Sequence, residues 1–254
     1  MNLLAINASH RGDKGQTHLF VDHLFRGARA AGADCEEVFL ARLKINRCLS
    51  CYECQVGKNH LSCVYNDKDD ARLVFEKMAA ADLVIYATPI YVMNMTGLMK
   101  TFLDRLYSTM DVMDARLSGG LIHHHVNREL VSKPFVPLIV LGNLEDVMWR
   151  SVTYYFRVYG RLFEAPQVGL LVRNGSSLFD PGNSDLVQMF PKTLEALAAY
   201  EQAGLELATL GRIRRATQSR ANQEVVPLPF FRWLKLLRPV KQKVIDYMRK
   251  ASIH

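Results

Sequence analysis

Cys48, Cys51 and Cys54 follow one another as Cys-x2-Cys-x2-Cys, and Cys63 comes after a further eight residues. Three thiols at i, i+3 and i+6 in one short loop can converge on a metal or an iron–sulfur cluster, and a fourth joins them if the chain folds back. Gly57 and Asn59 favour that reversal. Zinc is a less natural guest, because its structural ligand pairs are usually separated by a longer insert. A loop whose thiols are structural or redox-active without a cluster is the third reading, and the spacing leaves all three open.

A second stretch with chemical capacity is Ser9-His10-Arg11-Gly12-Asp13-Lys14-Gly15-Gln16-Thr17. It offers hydroxyls, an amide and free backbone N–H groups at a helix start, where dipole and orphan donors favour a phosphate. The Lys-Ser/Thr ending of a triphosphate loop and the Gly-x-Gly-x-x-Gly of a dinucleotide fold are both missing, so a phosphomonoester suits it better. A third stretch, Thr88-Pro89-Ile90-Tyr91-Val92-Met93-Asn94-Met95, puts an aromatic ring and two thioethers directly after an apolar run. Such a wall suits a planar ligand, and a hydrophobic core corner is the plain alternative. His123-His124-His125 lies in a polar stretch after Ser118-Gly119-Gly120 and reads as an exposed or substrate-facing loop rather than a metal site.

These stretches sit between alternating elements. Short apolar runs at residues 2–7, 35–40, 82–87, 135–141 and 166–172 read as strands. Helical periodicity follows Gly15-Gln16-Thr17 and recurs at 67–81, 95–110, 144–160 and 184–210, with Pro191 marking a kink. In the second helix Asn66 or Asp67 is the expected cap, with Leu73, Val74, Phe75 and Met78 facing inward. Asp69-Asp70 reads as carboxylates complementing the helix dipole. Strand and helix alternate five times, which calls for a parallel sheet with helical crossovers on both faces and a ligand beyond the carboxyl ends of the strands.

The 254 residues are 49% apolar and carry a net charge of +7. That charge is localised: from Arg212 onward stand eleven Lys/Arg against Glu224 and Asp246, so the body is close to neutral and its pI is no argument for nucleic acid. We expect residues 1–211 to form the main domain and 212–254 a basic amphipathic extension. Trp233, Phe231 and neighbouring cations in that tail suit packing on the protein itself, on a second subunit, or on an anionic membrane. No apolar run approaches a membrane span, no charged region leads into an apolar one at the start, and the cysteines cluster, so a reduced, cytoplasmic setting is expected. Cys35 reads as strand core.

Taken together, the Ser9-x-Arg11…Gly15-Gln16-Thr17 loop, the cysteine segment followed by Asp69-Asp70, and Thr88-Pro89-Ile90-Tyr91…Lys100…Asp104-Arg105 resemble the NAD(P)H-dependent FMN reductases and iron–sulfur flavoproteins of the flavodoxin-like superfamily. The resemblance covers roughly residues 2–172. It implies an α/β, three-layer, doubly wound parallel five-stranded sheet of order 2-1-3-4-5, here with a C-terminal helical extension, and FMN at the switch point. By the same resemblance Ser9, Arg11, Gln16 and Thr17 would hold the phosphate. Thr88, Pro89, Ile90, Tyr91 and Asn94 would line the isoalloxazine, and Gly142 and Asn143 would approach it from the other side. Cys48, Cys51, Cys54 and Cys63 would be the ligands if the loop carries a [4Fe–4S] cluster, although the last spacing is longer than in those flavoproteins.

The implied function is an oxidoreductase that takes a hydride from NAD(P)H onto FMN and reduces a quinone, flavin, nitro compound or redox partner. No side chain need act as acid or base, since the flavin carries the chemistry. One alternative is an iron–sulfur electron carrier that exchanges electrons with ferredoxin. Another is a non-catalytic flavodoxin-like module brought to a partner or membrane by its basic tail. A homodimer or homotetramer is the expected assembly, with the segment from Asp111 to Lys133 free to set substrate identity.

Overall fold

The computed structural model describes residues 1–226, 233 and 236–251. β1 (Asn2–Asn7) is apolar on both faces, as a strand covered on both sides must be, and pairs in parallel with β2 (Asp34–Phe39) and β3 (Leu83–Tyr91). β3 also pairs in parallel with β7 (Phe135–Val140), which pairs with β8 (Leu171–Arg173), giving the order β2-β1-β3-β7-β8. This is the expected order 2-1-3-4-5 and a flavodoxin-like architecture. β4 (Asn94–Met95) turns back antiparallel on β3 and adds a short sixth strand.

Helices cover both faces. α1 (Gln16–Ala30) and α7 (Lys192–Leu210) pack over the sheet with Phe20, Leu24, Leu197 and Tyr200 in one core. α2 (Ala71–Ala80), α3 (Gly97–Arg105), α4 (Arg128–Val131) and α5 (Arg150–Leu162) close the other, around Tyr86, Phe102 and Phe156. α1 and α7 meet at backbone distance: a Cβ on Gly27 would lie 1.7 Å from the Glu201 carbonyl oxygen, and one on Gly204 would lie 1.8 Å from that of Leu24.

Several sequence expectations are corrected. α2 begins at Ala71 with Asp70 at its N-cap, not at Asn66 or Asp67, and Leu73 is exposed rather than inward. The run expected as a helix to Met110 ends at Arg105 and continues as a tight turn into β5 (Met110–Ser118). β5 pairs with β6 (Leu121–Val126) in a separate two-stranded hairpin, so the three histidines lie on a strand, opposite Arg116, Ala115 and Asp111, and not in a loop. Gly119 and Gly120, at φ +57° and +73°, supply the turn that matches strand twist. The last long helix breaks at Phe190-Pro191 into α6 (Ser184–Met189) and α7.

Beyond α7 the chain still packs on the body, with Ile213, Ala221, Val225 and Val226 in the same core. α8 (Arg215–Ala221) covers the outer edge of β8, where Gln218 and Asn222 carboxamide oxygens accept from the N–H groups of Leu170 and Val172. That arrangement pairs an edge that would otherwise be open. Buried Arg173 donates to the carbonyls of Ala221 and Gln223, and Val225 and Val226 are buried. α9 (Arg238–Ala251) is fastened to the loop after β7 by Lys241 Nζ, 2.6 Å from Glu145 Oε1. Trp233 is exposed, whereas Phe231 and the other residues of 227–232 lie outside the described residues. Among the described residues no helix is long and apolar enough to cross a membrane.

Candidate functional site

The strand register places five loops at one edge. Asn7 is level with Phe39 and Ala87, Pro89 with Val140, and Val140 with Arg173, so the segments after these residues emerge side by side. The first of them, between β1 and α1, lies where the chain order reverses from β1 toward β2 on one side and β3 on the other, the crevice favoured by ligands in such sheets.

Its conformation is held from within. Asn7 Oδ1 accepts from the Ser9 N–H at 2.8 Å, Ser9 Oγ from the Arg11 N–H at 3.3 Å, and the Ser9 carbonyl from the Gly12 N–H at 3.1 Å. Gly12 requires φ +57°, a region that disfavours side chains. Gly15 is tight against the loop, since a Cβ there would stand 2.5 Å from Ser9 Oγ. Ser9 and Thr17 are buried, and no side chain caps the N-terminus of α1. Arg11 is exposed at the rim. With its amide nitrogen facing them, Gln16 donates to the carbonyls of Ser176 and Phe179 at 3.1 and 3.3 Å and ties the loop to the turn after β8.

Arg42, after β2, pairs with Asp13 at 2.7 Å, and this hydrogen bond holds the Asp13 carboxyl below its ordinary pKa. The pair brings a second cation beside the loop, which the sequence does not single out because Arg42 is remote from the motif. His10, inside the motif, stacks on Tyr91 with ring centroids 5.9 Å apart and planes 18° apart.

The wall consists of Thr88, Pro89, Ile90 and Tyr91 at the carboxyl end of β3, which runs past Ala87, with Asn94 on β4. Thr88 is fully buried; its Oγ1 accepts from the Thr96 N–H at 3.2 Å, and Thr96 Oγ1 in turn donates to the Ala8 carbonyl at 3.0 Å. Thr96 thus locks the β3–β4 turn onto the first loop, a role without a sequence signal. Tyr91 is half exposed, and Asn94 is exposed with Oδ1 accepting from Met95 N–H. At the tip Val92 and Met93 adopt φ +47° and +63°, a left-handed pair costly for a β-branched residue, held by Ser151 Oγ donating to the Met93 carbonyl at 2.8 Å. Gly142 and Asn143 are exposed on the opposite loop, where the Asn143 carbonyl accepts from Gly175 N–H at 3.2 Å.

These observations fit a phosphate-bearing planar cofactor: a glycine cradle that a Cβ would fill, an uncapped helix N-terminus with buried hydroxyls beside it, and an aromatic wall at the same edge. The cysteine loop lies between β2 and α2. Its neck is closed by Asp69-Asp70: the Lys44 N–H donates to Asp70 at 2.7 Å and the Asn46 N–H to Asp69 at 2.9 Å. Asp69 also forms a fully buried ion pair with Arg105, which donates to the Asn46 carbonyl at 3.1 Å. Burial works to raise the Asp69 pKa, but the Arg105 bond and the backbone donors outweigh it and the net shift is downward. The Asp-Asp pair is therefore the clasp of the cysteine loop as well as the start of α2.

All four cysteines line one small concavity, together with Tyr65, Arg105 and Tyr107. Ser50 N–H reaches Cys48 Sγ at 3.5 Å, and Gln55 Nε2 reaches Cys54 Sγ at 3.5 Å while also donating to the carbonyls of Tyr107 and Met110. Burial pushes the Cys54 thiol pKa up, with further contributions from Cys63 and Cys48. Among the described residues no three His, Cys, Asp or Glu side chains are arranged around a single ion.

The family model for NADPH-dependent FMN reductase matches residues 1–147. An iron–sulfur flavoprotein of Methanocaldococcus jannaschii is 38% identical over 89 residues, which is 35% of this chain and 43% of the relative. One from Archaeoglobus fulgidus is 34% identical over 105 residues, 41% of this chain and 48% of the relative. The chain thus spans less than half the length of these curated relatives. Among solved structures, an NAD(P)H:quinone oxidoreductase from Methanothermobacter marburgensis superposes with a TM-score of 0.58 at 16% identity, over 82% of this chain and 98% of that one. An FMN-dependent NADH-azoreductase from Bacillus anthracis does so with a TM-score of 0.57 at 15% identity, over 82% and 99%. These structures share the fold. The family match takes in the phosphate-type loop, the cysteine loop and the β3–β4 wall, and this chain belongs to the NADPH-dependent FMN reductase family.

Proposed function

We propose that the protein is an FMN-dependent oxidoreductase that uses NAD(P)H to reduce a small-molecule acceptor such as a quinone, a flavin or a nitro compound. The observation that carries this reading is the loop between β1 and α1, where Gly15 leaves room beside buried Ser9 at an uncapped helix N-terminus. Bound there, FMN would accept a hydride from the nicotinamide and pass the electrons on. Ser9, Thr17 and the first-turn N–H groups of α1 would bind the phosphate, with Arg11 at the rim and Gln16 holding the loop against the turn after β8. Thr88, Pro89, Ile90 and Asn94 would orient the ring, Tyr91 would cover it, and Gly142 and Asn143 would bound its far side. Titration with FMN and with riboflavin tests the assignment: tight FMN binding and much weaker riboflavin binding support a phosphate-reading loop, and equal affinities refute it.

A second reading adds a [4Fe–4S] cluster on Cys48, Cys51, Cys54 and Cys63, and with it exchange of electrons with a ferredoxin-like partner. It is favoured by four thiols on one concavity with N–H groups directed at two of the sulfurs. Iron and acid-labile sulfide in anaerobically purified protein would support it, and their absence after reconstitution would refute it. We further propose that the body runs to residue 226 and that α9, tied through Lys241 to Glu145, lies beside the loop after β7. The protein would act as a homodimer or homotetramer.

A further inference from the structure

Arg105 is 1% exposed, and only one of its three guanidinium nitrogens is hydrogen-bonded: Nη1 meets Asp69 and the Asn46 carbonyl. Nε and Nη2 are buried without a partner. Burying N–H donors unpaired is costly and rare, so such a pair of donors calls for an acceptor that belongs to the site. Arg105 lines the concavity of the four cysteines, whereas Asp69 does not. Arg105 thus belongs to the lining it shares with the thiols, and Asp69 to the neck of the loop.

We infer that Arg105 is a positioning residue for the iron–sulfur cluster, its Nε and Nη2 donating to the cluster's sulfur atoms while Nη1 anchors the guanidinium to the neck of the loop. The inference rests on the cluster reading of the cysteines proposed above. A cluster on four thiolates is a net anion and gains negative charge when it takes an electron. A fixed cation with N–H groups on sulfur stabilises both forms and the reduced form more, so it raises the midpoint potential. Tyr65, whose ring lies 5.4 Å from Arg105 Cζ, holds the guanidinium plane from the side. An arginine serving only as a clasp between Asn46 and Asp69 would leave Nε and Nη2 with nothing to do.

The test is a redox titration, followed by electron paramagnetic resonance, on full-length protein reconstituted anaerobically with iron and sulfide. Arg105→Gln and Arg105→Lys are compared with the unaltered chain, and FMN binding reports that each is folded. The expected result is a midpoint potential shifted to more negative values in Arg105→Gln, with a smaller shift in Arg105→Lys, which keeps the charge and loses the fork. If Arg105→Gln does not fold, Arg105→Lys carries the test, again with a negative shift expected. Folded variants with the iron content and potential of the unaltered protein would overturn the role of Arg105 and leave the cluster reading intact. Failure of the unaltered protein to take up iron and sulfide would overturn both.

Discussion

Gly15→Ala isolates the steric demand of the phosphate-type loop. Gly15 has φ −92° and ψ 149°, a conformation open to any residue, so alanine carries no backbone penalty there. Space is what opposes it: the added Cβ would stand 2.5 Å from Ser9 Oγ, 3.2 Å from the Gly12 carbonyl and 3.3 Å from Arg11 Cβ. Ordinary contact begins near 3.4 Å, so Ser9 Oγ must withdraw by roughly 0.9 Å, weakening the bond it accepts from Arg11 N–H. If the shifted loop forfeits one hydrogen bond to a charged phosphate, the loss is about 1.5–3 kcal/mol, or roughly 10–150-fold in Kd for FMN. The clash with Ser9 depends on its hydroxyl, so Gly15→Ala should cost less when made on top of Ser9→Ala than when made alone. Fluorescence titration with FMN gives the four constants, and thermal unfolding checks that each variant is folded. Gly15→Ala binding FMN within about twofold of the parent would refute the cradle, as would an identical cost in both backgrounds.

Three further outcomes follow from packing and charge. Gly27→Ala forces a methyl to 1.7 Å from a backbone oxygen of α7, and neither helix can yield locally, so urea unfolding should show a loss of about 3 kcal/mol or more. Tyr159 Oη donates to the Val131 carbonyl and lies 2.9 Å from Tyr86 Oη. Tyr159→Phe strands both partners and should cost about 1–3 kcal/mol, against about 1 kcal/mol for Tyr86→Phe, which leaves the bond to Val131 intact; urea curves of the two variants decide. Glu206 accepts from Arg214 N–H, Thr217 Oγ1 and Gln202 Nε2, and although burial alone would raise its pKa, these donors bring it below the ordinary 4.5. A depressed native pKa means stability that is present above the ordinary value and lost as pH falls through the native one. Glu206→Gln should therefore destabilise at neutral pH by about 1–3 kcal/mol and flatten the acid limb of the stability profile, measured by urea unfolding across a pH series.

The parallel core was legible because β1, β3 and β7 are buried on both faces and appear as uninterrupted apolar runs. The β5–β6 hairpin was not, because β5 is mostly exposed and carries Asp111, Asp114 and Arg116, so no apolar face marks it. Ser118-Gly119-Gly120-Leu121 did carry a turn signal, which the neighbouring histidines obscured. The start of α2 moved because Asp69 and Asp70 are committed to the neck of the cysteine loop, a tertiary demand that overrides a local capping preference. The motif residues of the first loop could be named from their types. Their supports could not: Thr96 reaching Ala8, Arg42 reaching Asp13 and Arg105 reaching Asp69 join segments far apart in the chain, and charge or hydroxyl alone does not announce a partner.

The central claim is that this edge of the sheet holds FMN in a form that NAD(P)H can reduce. Anaerobic addition of NADPH or NADH to the FMN-loaded protein, followed by the flavin absorbance of the protein-bound fraction, tests it most directly. The account predicts stoichiometric bleaching by one of the two nucleotides and return of the oxidised spectrum when a quinone is added. Protein that binds no FMN, or bound FMN that stays oxidised with excess of both nucleotides, would contradict it.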